Sequence, residues 1–592
     1  EAGYDPEGDM ENPTGSVFCS HGAGFVVNWD QVEDYMHLES CFPAKKGGRT
    51  QEKPVPLKTS GDWKAEMEAY WKNEKELTEI FERTYGPIRK QEDEGVSRRK
   101  GWKRRHRESS LDGYAGGREA TRYRENTPEK QYPGMPHGEM CGDFMPFYKD
   151  GVFYLFYLYK FCVYAVETRD FVSFGEPYLV LQNGSPDDQD WHIGTGSVFE
   201  RDGVFYFHYT GFCEGNAGIE GKNQQVIMRA ISRDMKTWEK DPSFFFRPDT
   251  RFYGNLHWRD PHVFWNEELQ KVCMLITAEE KDGAYLRRGC TAVYVTEDMN
   301  NWEHYKTLYA PRTFITHECH DCFKMGKHWY LSFSNYSRWW ETRYRIADQF
   351  DGPWQVPSAD DMFDGREYYA AKSVTDGKKR YMIGWQSIRQ DCKDSGRHVW
   401  GGNLLVHEFL VREDGTLGVK LPETIENAFS VSLPLHPESR QGSQTICNEG
   451  VCVEAEDGFG WSQMAPLPET CLFDAVISWE NGTEAAGIMI HTDPDLQKWC
   501  QLRLEFHHGK IVMDRYNRVD GDQSYQDERP ITFRKNTARI KLVVSGNIML
   551  AYVDDVALAA RCYEIGTGDI GIFVEYGKIV CRNADVRIQT QS

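Results

Sequence analysis

The chain lacks three features that mark common classes of protein. No run of 18 or more apolar residues occurs in its 592 residues, so no segment is predicted to span a membrane. Its 16 cysteines show no regular spacing, which argues against a disulfide-stapled scaffold. Basic residues are in deficit, with 70 Lys and Arg against 91 Asp and Glu and a net charge of −21. That balance argues against nucleic acid or an anionic membrane as a partner.

The amino terminus and the cysteines favour one cellular compartment for the protein. The chain begins at Glu1, and its first thirty residues show no basic region followed by an apolar core, so no signal peptide is visible. We expect most cysteines to be buried thiols, and therefore a cytoplasmic rather than a secreted protein. Cys319 and Cys322 form one Cys-x-x-Cys pair without a matching second pair, so we predict neither a metal nor another cofactor. Nothing in the sequence indicates an oligomeric state.

Aromatic side chains are abundant. The 18 Trp, 31 Tyr and 32 Phe make up 14% of the residues, a content that favours β-rich structure. Aromatic rings also stack on the apolar faces of sugars in binding clefts. A large β core alone would give the same composition, so the two interpretations can hold together.

From residue 133 the chain reads as a series of aromatic strands that follow Gly-containing turns. Asp150-Gly151 and Asp202-Gly203 each precede one such strand. A second element recurs every 64 residues, at Asp170, Asp234 and Asp298. Repeats of this length with several strands each are typical of propeller blades, and 133–425 holds five of them. We predict a five-bladed propeller whose first strands surround a central funnel.

Residues 450–592 read as a second β unit. Apolar and polar residues alternate over 473–479, 500–506 and 540–544, which is typical of a β-sandwich. A linker over 426–449 would join it to the propeller. The predicted fold class is all-β, a five-bladed β-propeller followed by a β-sandwich. We expect the sandwich to support the propeller rather than to bind sugar.

Three acidic stretches in the predicted propeller carry the functional hypothesis. They place Asp143, Asp260 and Glu318 near strand ends of different repeats. A propeller brings such strand ends together at its funnel. Hydrolysis of a glycosidic bond needs a carboxylate on one side of the sugar, a carboxylic acid on the other, and negative charge near an oxocarbenium-like centre. Chance selection among 91 acidic residues is the competing explanation, and the order and flanking residues favour catalysis.

Five short motifs follow one another in this segment. They are Gly194-Thr195-Gly196-Ser197, Trp258-Arg259-Asp260-Pro261, Glu318-Cys319-His320-Asp321, Asp364-Gly365-Arg366-Glu367-Tyr368-Tyr369-Ala370-Ala371 with Ile383-Gly384-Trp385, and Gly402-Asn403-Leu404 with Asp414-Gly415. In this order they resemble glycoside hydrolase family 32, which includes invertases, inulinases and levanases.

The resemblance implies a fructofuranosidase that works with retention through a covalent fructosyl-enzyme. It implies Asp143 as nucleophile, Asp260 as transition-state stabiliser and Glu318 as acid/base, with sucrose, a fructan or another furanoside as the carbohydrate partner. Candidate substrate-binding residues are Arg259, Gly196, Ser197, His317, Trp258, Glu367, Tyr368 and Trp385, with Trp191 as a further aromatic that could line the cleft. Each aromatic could equally belong to the core.

Two positions beside Asp143 depart from the family pattern. The family has an Asn where this chain has Gly142 and a Gln where it has Leu158, and both usually contact the fructosyl ring. A tryptophan-rich loop that follows in the family is absent. The catalytic carboxylates are kept while part of the sugar pocket is rebuilt, which leaves the cleaved sugar open.

Three functions are compatible with these residues. The first is a retaining hydrolase that removes terminal β-fructofuranosyl or closely related furanosyl groups from oligo- or polysaccharides. The second is an inverting furanosidase like the arabinanase propellers. The third is a non-catalytic carbohydrate-binding propeller. The contexts of Asp260 and Glu318 favour the first, and retention of all three carboxylates argues against the third.

Residues 1–132 differ in pattern from the rest. The stretches 8–25, 29–36 and 76–88 resemble the C-terminal end of translational GTPases of the tetracycline-resistance type. The resemblance covers 1–90 and includes no phosphate-binding loop, so it implies no GTPase activity. Residues 63–83 are predicted to form a charged amphipathic helix. The basic run at 98–107 could contact nucleic acid, but its surroundings favour a disordered linker over 91–132. We interpret 1–90 as a fragment joined to an unrelated enzyme.

Overall fold

The computed structural model describes the chain from residue 132 onward. The described residues are 132, 134–138, 140–337, 340–447, 450–455, 457–492, 496–516, 526–563 and 567–589. The predicted helix at 63–83, the basic run at 98–107 and the GTPase-like segment at 1–90 lie outside the described residues and stay predictions. In the described part of the chain, no helix has the length and apolar character needed to cross a bilayer.

Five antiparallel sheets form a propeller, as the repeats predict. Blade 1 contains β1 (Gly142–Lys149), β2 (Val152–Tyr159), β3 (Cys162–Thr168) and β4 (Tyr178–Leu181). Blade 2 contains β5 (His192–Arg201), β6 (Val204–Phe212), β7 (Gln225–Ser232) and β8 (Glu239–Phe246). Blade 3 contains β9 (Arg259–Asn266), β10 (Lys271–Glu279), β11 (Gly289–Thr296) and β12 (Glu303–Tyr309). Blade 4 contains β13 (Glu318–Met325), β14 (His328–Asn335) and β15 (Glu341–Ala347). Blade 5 contains β16 (Tyr368–Thr375), β17 (Arg380–Arg389), β18 (His398–Val411) and β19 (Leu417–Lys420).

The first strands of the blades close a ring around a central channel. Strand β1 contacts β5 and β16, β9 contacts β5 and β13, and β13 contacts β16. Short 3-10 helices at Glu214–Asn216, Tyr285–Arg287 and Gln390–Cys392 lie between strands. Residues far apart in sequence therefore meet wherever they occupy the start of a first strand.

A repeated turn explains the 64-residue spacing. Oδ1 of Asp170 accepts hydrogen bonds from the amides of Val172 and Ser173, and Asp234 and Asp298 make the same pair of bonds in their own turns. Each turn follows the third strand of its blade and buries one apolar side chain at positive φ. The buried residues are Phe171, Met235 and Met299.

The carboxyl-terminal unit is a β-sandwich. A short helix, α1 (Glu423–Ala428), leads into β20 (Phe429–Ser432), β21 (Glu438–Gln441), β22 (Ser443–Cys447), β23 (Gly450–Glu454), β24 (Phe459–Pro466), β25 (Thr470–Trp479), β26 (Ala485–Thr492) and β27 (Trp499–Glu505). The remaining strands are β28 (Lys510–Tyr516), β29 (Gln526–Pro530), β30 (Thr537–Ser545), β31 (Ile548–Val553), β32 (Val556–Arg561), β33 (Asp569–Glu575) and β34 (Lys578–Gln589). One sheet has the order β22-β23-β34-β25-β30-β31-β32, with β20 beside β34, and the other has the order β21-β24-β33-β26-β27-β28-β29.

The segment predicted as a linker, 426–449, contributes strands to this sandwich. Strand β20 pairs with β34, β21 with β24 and β22 with β23. These strands are short and mostly exposed. The apolar alternation that marks a half-buried strand is therefore missing from their sequence.

Most of the described cysteines are buried free thiols, as the sequence predicts. Cys500 and Cys562 are joined in a disulfide, which the spacing of the cysteines does not reveal. Cys319 and Cys322 lie in different hydrophobic clusters. The cytoplasmic location stays a prediction.

The sandwich holds the last propeller blade through buried polar contacts. Arg561 on β32 is fully buried and donates to the carbonyl oxygens of Ser387 (2.6 Å) and Gln386 (3.0 Å) on β17. From the propeller side, Oδ1 of Asp364 accepts the amide of Ala559 on the same sandwich strand. These contacts hold β17 from the side of the sandwich, which fits the expected supporting role of the sandwich.

Loss of the Arg561 contacts should destabilise the protein strongly. Arg561→Met leaves several buried acceptors without a donor, at a cost of about 3 kcal/mol or more. Arg539→Met is the matched control, because Arg539 belongs to the same sandwich but is 57% exposed and pairs with Asp474 at 2.8 Å. That pair should contribute about 1 kcal/mol or less. Urea unfolding followed by circular dichroism measures both, and equal midpoints would contradict the supporting role.

Candidate active site

Every blade begins its first strand with the same irregularity. In all five blades, an interval of three residues on the first strand pairs with an interval of only two residues on the second strand, which defines a β-bulge. Four bulges hold a non-glycine residue at positive φ: Asp143 (52°), Asp260 (55°), Cys319 (52°) and Ala370 (50°). This backbone conformation is strained, and bulges of this kind re-aim side chains at functional sites.

The shared register sorts the side chains of the channel into rings. The first ring contains the residue before each bulge: Gly142, Gly194, Arg259, Glu318 and Tyr369. The second ring contains the residue that follows it: Asp143, Thr195, Asp260, Cys319 and Ala370. The three carboxylates singled out in the sequence therefore lie in two adjoining rings of one channel.

Asp143 is buried and held by three hydrogen bonds. Its Oδ1 accepts from the indole nitrogens of Trp385 (3.1 Å) and Trp400 (3.2 Å), and its Oδ2 accepts from the Thr195 hydroxyl (2.8 Å). Burial raises the pKa of Asp143 to about 7, because these donors offset only part of the lost hydration and neighbouring carboxylates add repulsion. The carboxyl group thus exchanges its proton near neutrality.

Asp260 is buried across the channel. Its Oδ2 accepts from the amide of Cys319 (3.1 Å) and the hydroxyl of Thr277 (3.3 Å), and it lies 3.7 Å from Nε of Arg259. Burial raises the pKa of Asp260, and the positive charge of Arg259 opposes that rise. Within the described part of the chain, Oδ1 of Asp260 is buried without a hydrogen-bond partner. It can therefore accept a bond from a ligand.

Glu318 is the least buried of the three carboxylates and is held from both sides. Nη2 and Nε of Arg259 donate to Oε1 at 2.6 and 3.2 Å, and the hydroxyl of Tyr369 donates to Oε2 at 2.5 Å. These three residues are consecutive members of the first ring. The other two members are Gly142 and Gly194, so the first ring carries no side chain on blades 1 and 2.

Two of the predicted binding residues, Arg259 and Trp385, lie directly at the carboxylates. Two others support the strands behind them. The Ser197 hydroxyl accepts the amide of Val263 at 2.8 Å. A Cβ on Gly196 would meet the carbonyl oxygen of His208 at 2.1 Å, so glycine is required there by the close approach of β6.

The remaining predicted binding residues are not brought to the carboxylates. His317 packs on Phe333 with ring centroids 4.6 Å apart, and burial lowers its pKa to about 3. The other side chains have contacts elsewhere: Trp258 donates to the carbonyl oxygen of Phe246 on β8, Tyr368 packs on His407, Glu367 pairs with Arg389, and Trp191 stacks on His192. A role for these residues in sugar binding stays a prediction, and the contacts named here are those of structural residues.

Three residues at the carboxylates escape the sequence patterns: Thr195, Tyr369 and Trp400. The first two are immediate neighbours of predicted residues. Each bulge shifts the alternation of the strand by one, so a period of two does not tell which of two adjacent residues faces the channel. Trp400 comes from the start of β18, and only the three-dimensional crossing of residues 400–402 over blade 1 places its indole on Asp143.

Packing explains the glycine at 142. A Cβ there would meet Nε1 of Trp385 at 3.0 Å and Cα of Gly401 at 3.2 Å. An Asn at this position would displace the indole that holds Asp143. Leu158 pairs with Gly142 in the β-ladder and is buried in the core shared by blades 1 and 2, so it supplies no polar group.

The geometry suits nucleophilic and acid–base chemistry on one ligand. It combines a buried carboxylate that titrates near neutrality, a second buried carboxylate with a free oxygen, and a third carboxyl group held by a cation and a phenol. This is the set that glycosidic bond hydrolysis uses. In the described part of the chain, no group of three His, Cys, Asp or Glu side chains is placed to hold a metal ion.

Comparison with known proteins gives a consistent result. Residues 143–417 match the model of the glycosyl hydrolases family 32 N-terminal domain. The chain is similar to a levanbiose-producing levanase of Bacillus subtilis (strain 168), with 22% identity over 458 residues, 69% of this chain and 80% of the relative. It is also similar to a levanbiose-producing levanase of Geobacillus stearothermophilus, with 24% identity over 364 residues, 54% of this chain and 86% of the relative.

Solved structures share the fold. An exo-inulinase from Aspergillus awamori aligns with a TM-score of 0.60 and 15% identity, over 80% of this chain and 99% of its own. A sucrose-6-phosphate hydrolase from Lactobacillus gasseri aligns with a TM-score of 0.59 and 14% identity, over 81% and 96% of the two chains. At these identities the likeness shows the architecture of propeller and sandwich.

Removal of the Asp143 charge should stabilise the protein at alkaline pH. The folded pKa of about 7 lies above the ordinary value of 3.8, so the folded state loses stability as the pH rises between these values. Asp143→Asn should therefore be more stable than the wild type at pH 8, by about 2–4 kcal/mol, with no difference near pH 4. Urea unfolding at the two pH values measures the effect.

Asp321→Asn is the matched control with the opposite sign. Burial acts to raise the pKa of Asp321, but the charges of His262 and Arg380 hold it below its usual value. The Asp321 charge therefore stabilises the fold above the unfolded pKa, and this contribution is lost as the pH falls. Asp321→Asn should be less stable than the wild type at pH 8. Changes of the same sign in both variants would contradict these charge assignments.

Proposed function

We propose that this chain, whose residues 143–417 belong to glycosyl hydrolases family 32, is a retaining glycosidase that releases terminal β-fructofuranosyl groups from an oligosaccharide or a fructan. The observation that carries the proposal is the convergence of Asp143, Asp260 and Glu318 at the bulged starts of three blades. The levanases to which the chain is similar are named for action on levan, which makes levan the first fructan to test.

The reaction proceeds in two displacements. In the first, a carboxylate oxygen of Asp143 bonds to the anomeric carbon while the bond to the leaving oxygen breaks, and Glu318 gives that oxygen its proton. In the second, Glu318 takes a proton from water as the water oxygen bonds to the anomeric carbon, and Asp143 leaves as a carboxylate. Two inversions at one carbon give retention.

Asp260 moves no proton in this scheme. Its buried charge stabilises the positive charge that develops on the sugar ring, and its unpartnered Oδ1 accepts a bond from a ring hydroxyl. The bulge at Asp260 fixes the carboxylate before the substrate arrives. This fixed charge is worth more in a buried site than it would be in water.

Arg259 and Tyr369 fix the orientation of Glu318. Two hydrogen bonds from Arg259 hold Oε1, and one from Tyr369 holds Oε2. We infer that hydroxyl groups of the bound sugar take over part of the Arg259 guanidinium, while Tyr369 continues to orient the carboxyl group.

Two half-buried indoles supply an apolar surface for the sugar. The indole N–H of Trp400 donates to Asp143, and part of the Trp400 ring is exposed. Trp340 packs on Tyr369 and Trp385, with ring centroids 5.2 and 5.8 Å apart. We infer that these rings form part of the sugar pocket beside Gly142, in a chain that lacks the tryptophan-rich loop.

The protein should release fructose from at least one of sucrose, inulin and levan. Glu318→Gln should lower kcat by about 10²–10⁴-fold, because it removes the acid and base, and Asp143→Asn should abolish the covalent step. Glu200→Gln is the control, since Glu200 lies at the outer end of β5 and pairs with Lys149 at 2.7 Å. Its activity should match the wild type. Chromatography of the released sugars measures all three variants.

A panel of aryl furanosides separates the other functions. Turnover of a different furanoside alone would mean that Gly142 and Leu158 redirect the pocket to another sugar. A product of inverted configuration would replace the double displacement by the arabinanase-like mechanism. Sugar binding without turnover of any substrate would make the protein a carbohydrate-binding propeller.

The acidic limb of the plot of kcat/KM against pH should report the ionisation of Asp143. Because burial raises its pKa to about 7, kcat/KM should rise as the pH increases through about 7. Trp400→Phe removes one donor from Oδ1, so the limb should move to higher pH by about half a unit to one unit. Trp265→Phe is the control, because Trp265 is half-exposed on β9 and touches no carboxylate of the site. If the acidic limb does not move in Trp400→Phe, a group other than Asp143 controls it.

A further inference from the structure

The channel continues beneath the carboxylates with a third ring. Its members stand three residues after those of the first ring: Met145, Ser197, His262, Asp321 and Lys372. Asp321 already has close partners on both neighbouring blades. Its Oδ1 lies 3.1 Å from Nε2 of His262, and its Oδ2 accepts the amide of Ser373.

Lys372 is a buried ammonium group with one direct partner. Its side chain is 2% exposed, and its Nζ donates to the carbonyl oxygen of His320 at 2.9 Å. Among the described residues it makes no direct ion pair. Burial of an ammonium without a close counter-ion is costly, so its presence in the channel calls for a physical reason.

The charges that act on Lys372 come from Asp143 on β1, Asp260 and His262 on β9, and Cys319, His320 and Asp321 on β13. Arg259 on β9, Glu318 on β13, Tyr369 on β16 and Arg380 on β17 lie around the same carboxylates.

Most of the cations in this set are already engaged. Arg259 binds Glu318, and Arg380 faces Asp321. His262 lies 3.1 Å from Asp321, and burial lowers the pKa of His262 while the charge of Asp321 opposes that fall. Burial also lowers the pKa of Lys372, and the negative charges of Asp321, Asp260 and Asp143 oppose that fall. Arg259 already lies beside Asp260, so Lys372 is the further buried cation that acts on both carboxylates of the second ring.

We propose that Lys372 is an electrostatic positioning residue, whose buried positive charge allows Asp143 and Asp260 to be ionised together. The inference rests on the proposed function, in which Asp143 attacks as a carboxylate while Asp260 stabilises positive charge. Two carboxylates in a buried site repel each other, so one tends to hold a proton. A cation in the ring below offsets this repulsion without touching the sugar.

A purely structural role for Lys372 would be to fill the channel beneath the second ring. An unbranched apolar side chain of similar length would serve that purpose equally well. The two roles differ in what a neutral replacement does to the ionisation of Asp143, because filling space has no effect on charge.

The test compares variants that change the charge of the third ring in opposite directions. Lys372→Met keeps the length of the side chain and removes the charge, so the acidic limb of kcat/KM should move to higher pH by about one unit. Lys372→Arg should keep the limb near that of the wild type. Asp321→Asn removes a negative charge from the same ring and should move the limb to lower pH.

A readout without substrate keeps this inference separate from the proposed function. The pH at which the stability gain of Asp143→Asn over the parent protein levels off reports the folded pKa of Asp143 through urea unfolding alone. In the Lys372→Met background this pH should be higher by the same amount. Lys372→Gln provides a second neutral variant if Lys372→Met does not fold.

The outcomes are distinct. Shifts of opposite sign in the Lys372 and Asp321 variants support the proposal. An unchanged pH for Asp143 in a folded neutral variant, or shifts of the same sign, would overturn it. A wild type that hydrolyses no fructoside but shows the unfolding shift would contradict the proposed function and leave the electrostatic role of Lys372 standing.

Discussion

Burial of two carboxylates in one ring of a propeller channel is the constraint on which the rest of this structure depends. Asp143 and Asp260 are aimed into the channel by strained bulges, and each ionises against the cost of lost hydration. The surrounding groups reduce that cost locally. Indole and hydroxyl donors hold Asp143, a guanidinium lies beside Asp260, and an ammonium lies in the ring below both.

Different blades of the propeller supply the carboxylates and many of the groups that surround them. The carboxylates come from blades 1, 3 and 4, whereas blade 5 supplies four of the groups around them: Tyr369, Lys372, Trp385 and Trp400. The sandwich grips blade 5 through the buried Arg561. A unit with no catalytic residue of its own therefore helps to fix the indole that holds Asp143. The glycine at 142 belongs to the same arrangement, because the indole and residues 400–402 fill the space of a side chain.

The sequence predicts the architecture because repeats and alternation report strands, and the Asp170-type turns recur at a fixed interval. It also predicts the three carboxylates, which sit beside short motifs. The sequence predicts the binding residues less well than the carboxylates. A bulge shifts by one residue which side chains face the channel, so Thr195 and Tyr369 reach the site while Gly196 and Tyr368 support the strands. Trp400 depends on a crossing between blades that are distant in sequence. The exposed strands at 429–447 lack the alternation that would distinguish them from a linker.

The central claim is that Asp143 forms a covalent bond to the sugar. Mass spectrometry of peptides tests it most directly, after Glu318→Gln is incubated with a fructosyl donor that carries an activated leaving group and is quenched in acid. The account predicts a hexosyl adduct on the peptide that contains Asp143, and none when Asp143→Asn is added to the variant. An adduct on Asp260 or on another carboxylate, or a wild-type product of inverted configuration, would contradict it.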